Sequence, residues 1–187
     1  MKKVLKVLFV SFTVLLLTVV AVLSYHGFFS TPQVTEKEVG PYLVAVKHFT
    51  GSYYKVGPTM TEVDTWLREN GVNSTKGIGL FYDDPAKVPE NQRRSAVGNV
   101  LEGVDESTLA KIKEKLEVIE IKPSRAVVVE HPIKTPLSYM LAPMKVYQEI
   151  NRYWTNKGYP PETEGSFSIE IYDIPGKITT YIMPIPD

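Results

Sequence analysis

The chain is predicted to be α+β, with two βαββ repeats, a cleft between them, and one transmembrane helix in front. Three observations predict this. An uncharged apolar run extends from Val7 to Leu23. Leu43–Val72 and Ala126–Tyr159 are weakly self-similar. A Tyr-Asp-x-Pro tetrapeptide follows each copy, at Tyr82–Pro85 and at Tyr172–Pro175.

The apolar run comes first. With a rise of about 1.5 Å per residue, the roughly 20 residues that a bilayer requires are reached from Val7 to His26. Tyr25, Phe28 and Phe29 then fall at the interface that aromatic rings favour, and Lys2, Lys3 and Lys6 before the run place the N-terminus in the cytoplasm. The expected location is therefore the membrane, single-pass, with the domain extracytoplasmic (periplasmic). A cleaved signal peptide is the alternative, with Val22-Leu23-Ser24 as the cleavage region, although no Ala-x-Ala pattern is present and the run is long. The boundaries read as an anchor or signal peptide over 1–29, a linker over 30–37 and a domain over 38–187.

Each repeat begins with a Val/Ala-rich strand ending in a charge and a histidine, Lys47-His48 and Glu130-His131. A loop with an aromatic follows, Tyr53 and Tyr139, then an amphipathic helix with a tryptophan near its end, Trp66 and Trp154. Both helices stop at glycine, Gly71 and Gly158, the residue that most readily adopts the left-handed cap. Thr59-x-x-Glu62 has capping-box spacing, and Met60, Val63, Trp66 and Leu67 form one apolar stripe. In the second helix the stripe reads Leu137, Met140, Met144, Tyr147, Ile150 and Trp154. Pro143 means that this helix either kinks or starts just before it. The two remaining strands of each repeat cover Ile78–Tyr82 with Ser95–Leu101, and Ser168–Tyr172 with Lys177–Ile185. A linking helix, Ser107–Leu116, leads to a strand at Val118–Ile121 and a turn at Lys122-Pro123-Ser124. With helices on one face of the joined sheets, the opposite, concave face is expected to lie open as the ligand cleft.

The composition excludes several functions. The absence of cysteine rules out a lipobox, a thiol nucleophile, a cysteine-ligated zinc and a disulfide scaffold. Beyond the three N-terminal lysines, 18 basic residues face 21 acidic ones with no basic stripe, so no nucleic-acid partner is expected. His48 and His131 lack His-x-x-x-His or His-Glu-x-x-His spacing, so no metal is expected and they read as surface or turn residues. Asp83-Asp84 reads as a turn after a strand, and Asn73-Ser74-Thr75 is a glycosylation pattern at chance level. No cofactor is implied.

Thr50-Gly51-Ser52-Tyr53 leading to Trp66-Leu67 and Gly71 resembles the Gly-x-Tyr…Trp-Leu…Gly signature of GyrI-like domains. Ile169-Glu170-Ile171-Tyr172 resembles their C-terminal Glu-x-Tyr strand. Phe81–Pro89 followed by Arg93–Gly98 is similar to the testis-expressed, single-pass ER-phagy receptor family, whose members carry a membrane helix and then a GyrI-like domain. The resemblance implies a fold of two βαββ repeats and binding of amphipathic or cationic small molecules, with Glu170 facing the ligand. Some relatives hydrolyse electrophilic natural products in the same cleft. A DNA-binding domain is absent, and the chain ends at Asp187 without the receptors' autophagy tail, so neither regulator nor receptor partners are expected to carry over.

The candidate ligand-binding residues are Glu170, Tyr172, Tyr53 and Tyr139. Ser168, Glu170 and Tyr172 share one strand face. Ile169 and Ile171, on the other, are expected to meet the helices. In the first repeat the place of Glu170 is expected to be Leu80, so the acid breaks the internal symmetry. A carboxylate among tyrosines suits a cation, since the rings add cation–π attraction. Trp66 and Trp154 read as core. The main expectation is a non-catalytic membrane-anchored small-molecule binder. The alternatives are a hydrolase with Glu170 as acid or base, and a protein-interaction adaptor without ligand.

Overall fold

The computed structural model describes residues 2–25, 28–29, 31–160 and 166–186. His26 at the end of the expected span, Ser30 at the start of the linker and Asp187 lie outside the described residues. The apolar run forms α1, Lys2–Tyr25, 24 residues with none buried, a length of about 36 Å at helical rise. Then come β1 (Val34–Val39), β2 (Tyr42–Thr50), α2 (Gly57–Glu69), β3 (Lys76–Phe81), β4 (Arg94–Val100), α3 (Glu106–Lys115), β5 (Glu117–Ile121), β6 (Ser124–Pro132), α4 (Ser138–Lys157), β7 (Ser168–Asp173) and β8 (Ile178–Pro184). The units β2-α2-β3-β4 and β6-α4-β7-β8 are the two repeats.

All eight strands join one antiparallel sheet in the order β1-β6-β8-β7-β3-β4-β2-β5. The repeats meet at β3 and β7, where Gly79 lies opposite Glu170. The outer strands are exchanged. β1 precedes the first repeat but pairs with β6 of the second, whereas β5 precedes the second and pairs with β2 of the first. This assigns part of the expected linker to the sheet, because Val34–Lys37 are edge-strand residues. Their polarity, Val-Thr-Glu-Lys, is that of a strand that discourages further pairing.

The sheet curls. Val39 on one edge strand and Ile121 on the other belong to a single apolar cluster with Val44, Val46, Ile78, Leu80, Val128, Ile169, Ile171 and Ile182. That cluster holds no helix residue. The helices cover the other face. Val63 and Leu67 of α2 pack with Ala45 and with Ile112 of α3, and Ala142, Val146, Ile150 and Trp154 of α4 pack with Val127, Val129, Tyr181 and Met183.

Several expectations are corrected here. The concave face is not an open cleft; strand side chains fill it. Ile169 and Ile171 point into this helix-free core, and Glu170 shares its face with the helices. Leu80 lies on the Ile169 face, so Gly79 rather than Leu80 stands across from Glu170; one position along a strand reverses the face. The capping box does not form, because α2 starts at Gly57 with Pro58 in its first turn and no side-chain cap, a placement proline favours. Glu62 instead pairs with Lys47. The buried stripe of α4 is Ser138, Ala142, Val146, Ile150 and Trp154, whereas Met140 and Met144 are exposed. α4 starts five residues before Pro143, which sits inside it. His131 is buried rather than superficial, whereas His48 is exposed as expected and pairs with Glu117.

Candidate ligand-binding site

On the helix-bearing face, α2 and α4 stand apart over the seam of the two repeats. The space between them is a cavity of about 1480 Å³, above the roughly 300–1,000 Å³ of ordinary small-molecule pockets. Its floor is β7, β3 and β4, where Tyr172, Gly77 and Asn99 form a row across three strands. Gly77 has no side chain to fill the middle of that row. A Cβ there would meet the Met60 methyl at 3.1 Å and the Tyr172 ring at 3.5 Å. Gly79 serves differently: the Phe81 ring lies over it, within 2.7 Å of where a Cβ would be.

Glu170 is 7% exposed. Its Oε1 accepts the Tyr147 hydroxyl at 2.8 Å, and its Oε2 accepts the Tyr172 hydroxyl at 2.8 Å. Burial pushes its carboxyl above the ordinary value, and the two phenol donors partly offset this. Burial and the neighbouring carboxylate hold both phenols well above their own ordinary range, so they remain neutral donors. Among the described residues no cation pairs with Glu170. A buried carboxylate with two hydrogen bonds and no countercharge favours an incoming positive group.

Aromatic rings surround it. Tyr139, in the first turn of α4, meets Tyr172 edge to face at 5.8 Å, and Tyr147 meets Tyr181 in the same way at 5.6 Å. On the α2 side Tyr53 packs on Phe81 at 4.7 Å. The Tyr53 hydroxyl accepts the Asp83 N–H at 3.0 Å and points at the Asp83 and Arg94 carbonyls, so it offers the cavity a ring rather than a free hydroxyl. Asp83 is the strand-end turn residue it was expected to be, gripped by the Arg94 side chain and backbone N–H. At the α2 wall, Asp64 accepts from Arg68 at 2.9 Å and from the Asn99 amide at 3.2 Å, leaving the buried Asn99 Oδ1 unpartnered among the described residues.

Glu170, Tyr172, Tyr53 and Tyr139 thus line one cavity, as do three residues the sequence reading missed as site residues. Tyr147 read as core, and Met140 and Met144 as part of the buried stripe. The signal for Tyr147 is a second four-residue spacing, Tyr139, Pro143, Tyr147 and Asn151, one position from the stripe that packs on the sheet, and Met140 and Met144 lie one position further round the helix. Among the described residues no three His, Asp or Glu gather as a metal would require.

Comparison with known proteins agrees with this architecture. The model of the GyrI-like small molecule binding domain matches residues 32–185. Human testis-expressed protein 264 is 29% identical over 150 residues, which is 74% of this chain and 45% of that protein, so the chain spans less than half of that relative. Among solved structures, the EcmrR C-terminal domain superposes with a TM-score of 0.54 at 19% identity, covering 83% of this chain and 98% of that one. The SAV2435 protein bound to tetraphenylphosphonium superposes at 0.50 with 14% identity, covering 82% and 94%. Both show a shared fold.

Proposed function

The chain belongs to the GyrI-like small-molecule binding domain family, and from that membership we propose that it is a membrane-anchored, non-catalytic binding protein for a cationic amphipathic small molecule. The ligand lies between α2 and α4, with Glu170 as its charge partner and Tyr172, Tyr147, Tyr139 and Tyr53 around it. The single supporting observation is the Glu170 carboxylate, buried at the floor of a large aromatic cavity and, among the described residues, hydrogen-bonded to two phenols. A cation arriving there restores the attraction that burial removed, and a desolvated aromatic face adds about 2 kcal/mol. Flexible Met140 and Met144 suit a wall that adapts to ligand shape.

α1 supports the anchor. It is long and apolar enough to cross a bilayer, no residue of it is buried against the domain, and Lys2, Lys3 and Lys6 keep its start cytoplasmic, which puts the domain outside. A signal peptide passes the same length test, and intact mass of the membrane-extracted protein separates the two.

Tetraphenylphosphonium, the cation bound by a structure of the same fold, is the first probe. At 100 times its Kd it should stabilise the wild type by about 2.7 kcal/mol in a thermal-shift assay, and Glu170→Gln should abolish the shift. No shift from any cationic amphiphile would sink this reading.

One observation favours a second reading, a hydrolase. Burial raises the Glu170 carboxyl, and a general acid requires a pKa raised towards the working pH. Turnover of a reactive ester by the wild type, lost in Glu170→Gln, would establish it.

A further inference from the structure

We propose that the N-terminal half of α4 rests on the bilayer, so that the cavity opens at the membrane interface and takes its ligand from the lipid phase. This rests on the anchor reading of α1 and on the cavity as the ligand site.

Two lysines hold the end of the anchor. Lys134 donates to the carbonyl of Tyr25, the last residue of α1, at 2.6 Å, and its ammonium lies 4.8 Å from the centre of the Tyr25 ring. Lys145 donates to the carbonyl of Phe28 at 2.6 Å. Each bond brings the domain backbone within one lysine side chain of the point where the anchor leaves the bilayer. The two lysines bracket the segment that carries Leu137, Tyr139, Met140 and Met144.

That segment is apolar and uncovered. Met140 is 56% exposed and Met144 61% exposed, and Phe29, beside the Lys145 contact, is 62% exposed. Met140, Met144 and Tyr139 also line the cavity, so the exposed patch and the cavity mouth are one surface. Covalent continuity selects a bilayer as the occupant. The helix that supplies Tyr25 has no apolar cover within the chain, and the headgroup layer beyond the hydrocarbon is only about 5–8 Å thick on each side. Side chains tied to the anchor's end fall within that layer. Lysine there keeps its stem in the apolar zone and its ammonium at the phosphates, and methionine and tyrosine on one helix face suit a shallow interfacial contact. An amphiphile partitioned into the outer leaflet would then enter the cavity without crossing water.

The lack of cysteine makes the test direct. Met144→Cys and Met140→Cys in the full chain, each labelled with an environment-sensitive nitrobenzoxadiazole fluorophore, are reconstituted in phosphatidylcholine vesicles beside Glu114→Cys on α3, whose apolar cluster contains no α4 residue. Lipid carrying a shallow spin label should quench both α4 positions at least threefold more than position 114, with blue-shifted emission. Equal quenching at all three positions, in a chain that floats with the vesicles, overturns the interfacial contact and leaves the anchor intact. A blue shift without lipid quenching assigns the patch to a second copy of the chain and also overturns it. A chain that fails to float overturns the anchor reading and this inference together. Unquenched α4 labels, with tetraphenylphosphonium binding measured in the unlabelled wild-type chain and intact there, leave the cavity's role standing and remove only its membrane-facing entrance.

Discussion

Tyr147 reaches down from α4 to the floor strand β7 and places its hydroxyl 2.8 Å from Oε1 of Glu170. The contact joins the helix wall of the cavity to the buried acid at its floor, and it makes the titration of that acid a reporter of the whole site.

Burial holds the Glu170 carboxyl above its ordinary value of 4.5 in the folded chain, while the unfolded chain titrates normally. The folded state therefore keeps this proton more tightly. Its contribution to stability is complete below about pH 4.5 and is lost as pH rises through the folded pKa. Urea denaturation should show the wild type losing stability relative to Glu170→Gln across that window, with the difference levelling off above it. Tyr147→Phe removes one donor to the carboxylate and should extend the upper end of the window to higher pH, the lower end being fixed by the unfolded chain. A pH-independent difference between wild type and Glu170→Gln would mean that the acid is not desolvated.

The two glycines of β3, Gly77 on the cavity floor and Gly79 beneath the Phe81 ring, should respond differently. The Gly77→Ala methyl comes closest to the far end of Met60 and the edge of Tyr172, with the Gly98 carbonyl at an ordinary 3.7 Å, so it should cost less than about 1 kcal/mol, whereas Gly77→Leu should fill the cavity floor and block binding. Gly79→Ala drives a Cβ into the buried Phe81 ring and should cost about 1–3 kcal/mol as overpacking does. Denaturant midpoints for the alanine pair, with probe binding for Gly77→Leu, check both statements.

The face assignment gives a third pair. Ile171→Ala opens the helix-free core and should destabilise by about 2–5 kcal/mol while leaving the cavity lining in place. Met144→Ala, at an exposed position, should stay within about 0.5 kcal/mol and weaken binding of bulky amphiphiles. If Ile171→Ala were neutral, the sheet would not be packed on both faces.

Local chemistry made the repeat legible. Glycine ends both helices: Gly71 has φ of 83° and Gly158 has φ of 68°. Pro and Asp close the strands, and period-two alternation put Glu170 and Tyr172 on one face. What alternation does not carry is which face the helices cover. That follows from the exchange of β1 and β5 between repeats, which curls the sheet and seals Ile169 and Ile171 inside. β1 escaped notice because an edge strand of Val-Thr-Glu-Lys-Glu-Val reads like a linker. Glu36 within it is held to a pKa of about 2 by Tyr159, Arg125, Tyr153 and Lys157, partners far away in sequence. The Tyr-Asp-x-Pro motifs align Leu80 with Glu170 because they are one residue out of step with the sheet register. The cavity stripe of α4 was hidden because it lies one position from the core stripe, and apolar periodicity alone does not separate two adjacent apolar faces.

The most direct measurement is the Glu170 titration itself, followed by carboxylate carbon NMR in protein labelled at glutamate and assigned with Glu170→Gln, free and saturated with tetraphenylphosphonium. The expected result is a midpoint above 4.5 in the free protein that falls when the cation binds. A midpoint that the cation leaves unmoved, or one already at the ordinary value without it, would contradict the proposal that this buried carboxylate is the ligand's charge partner.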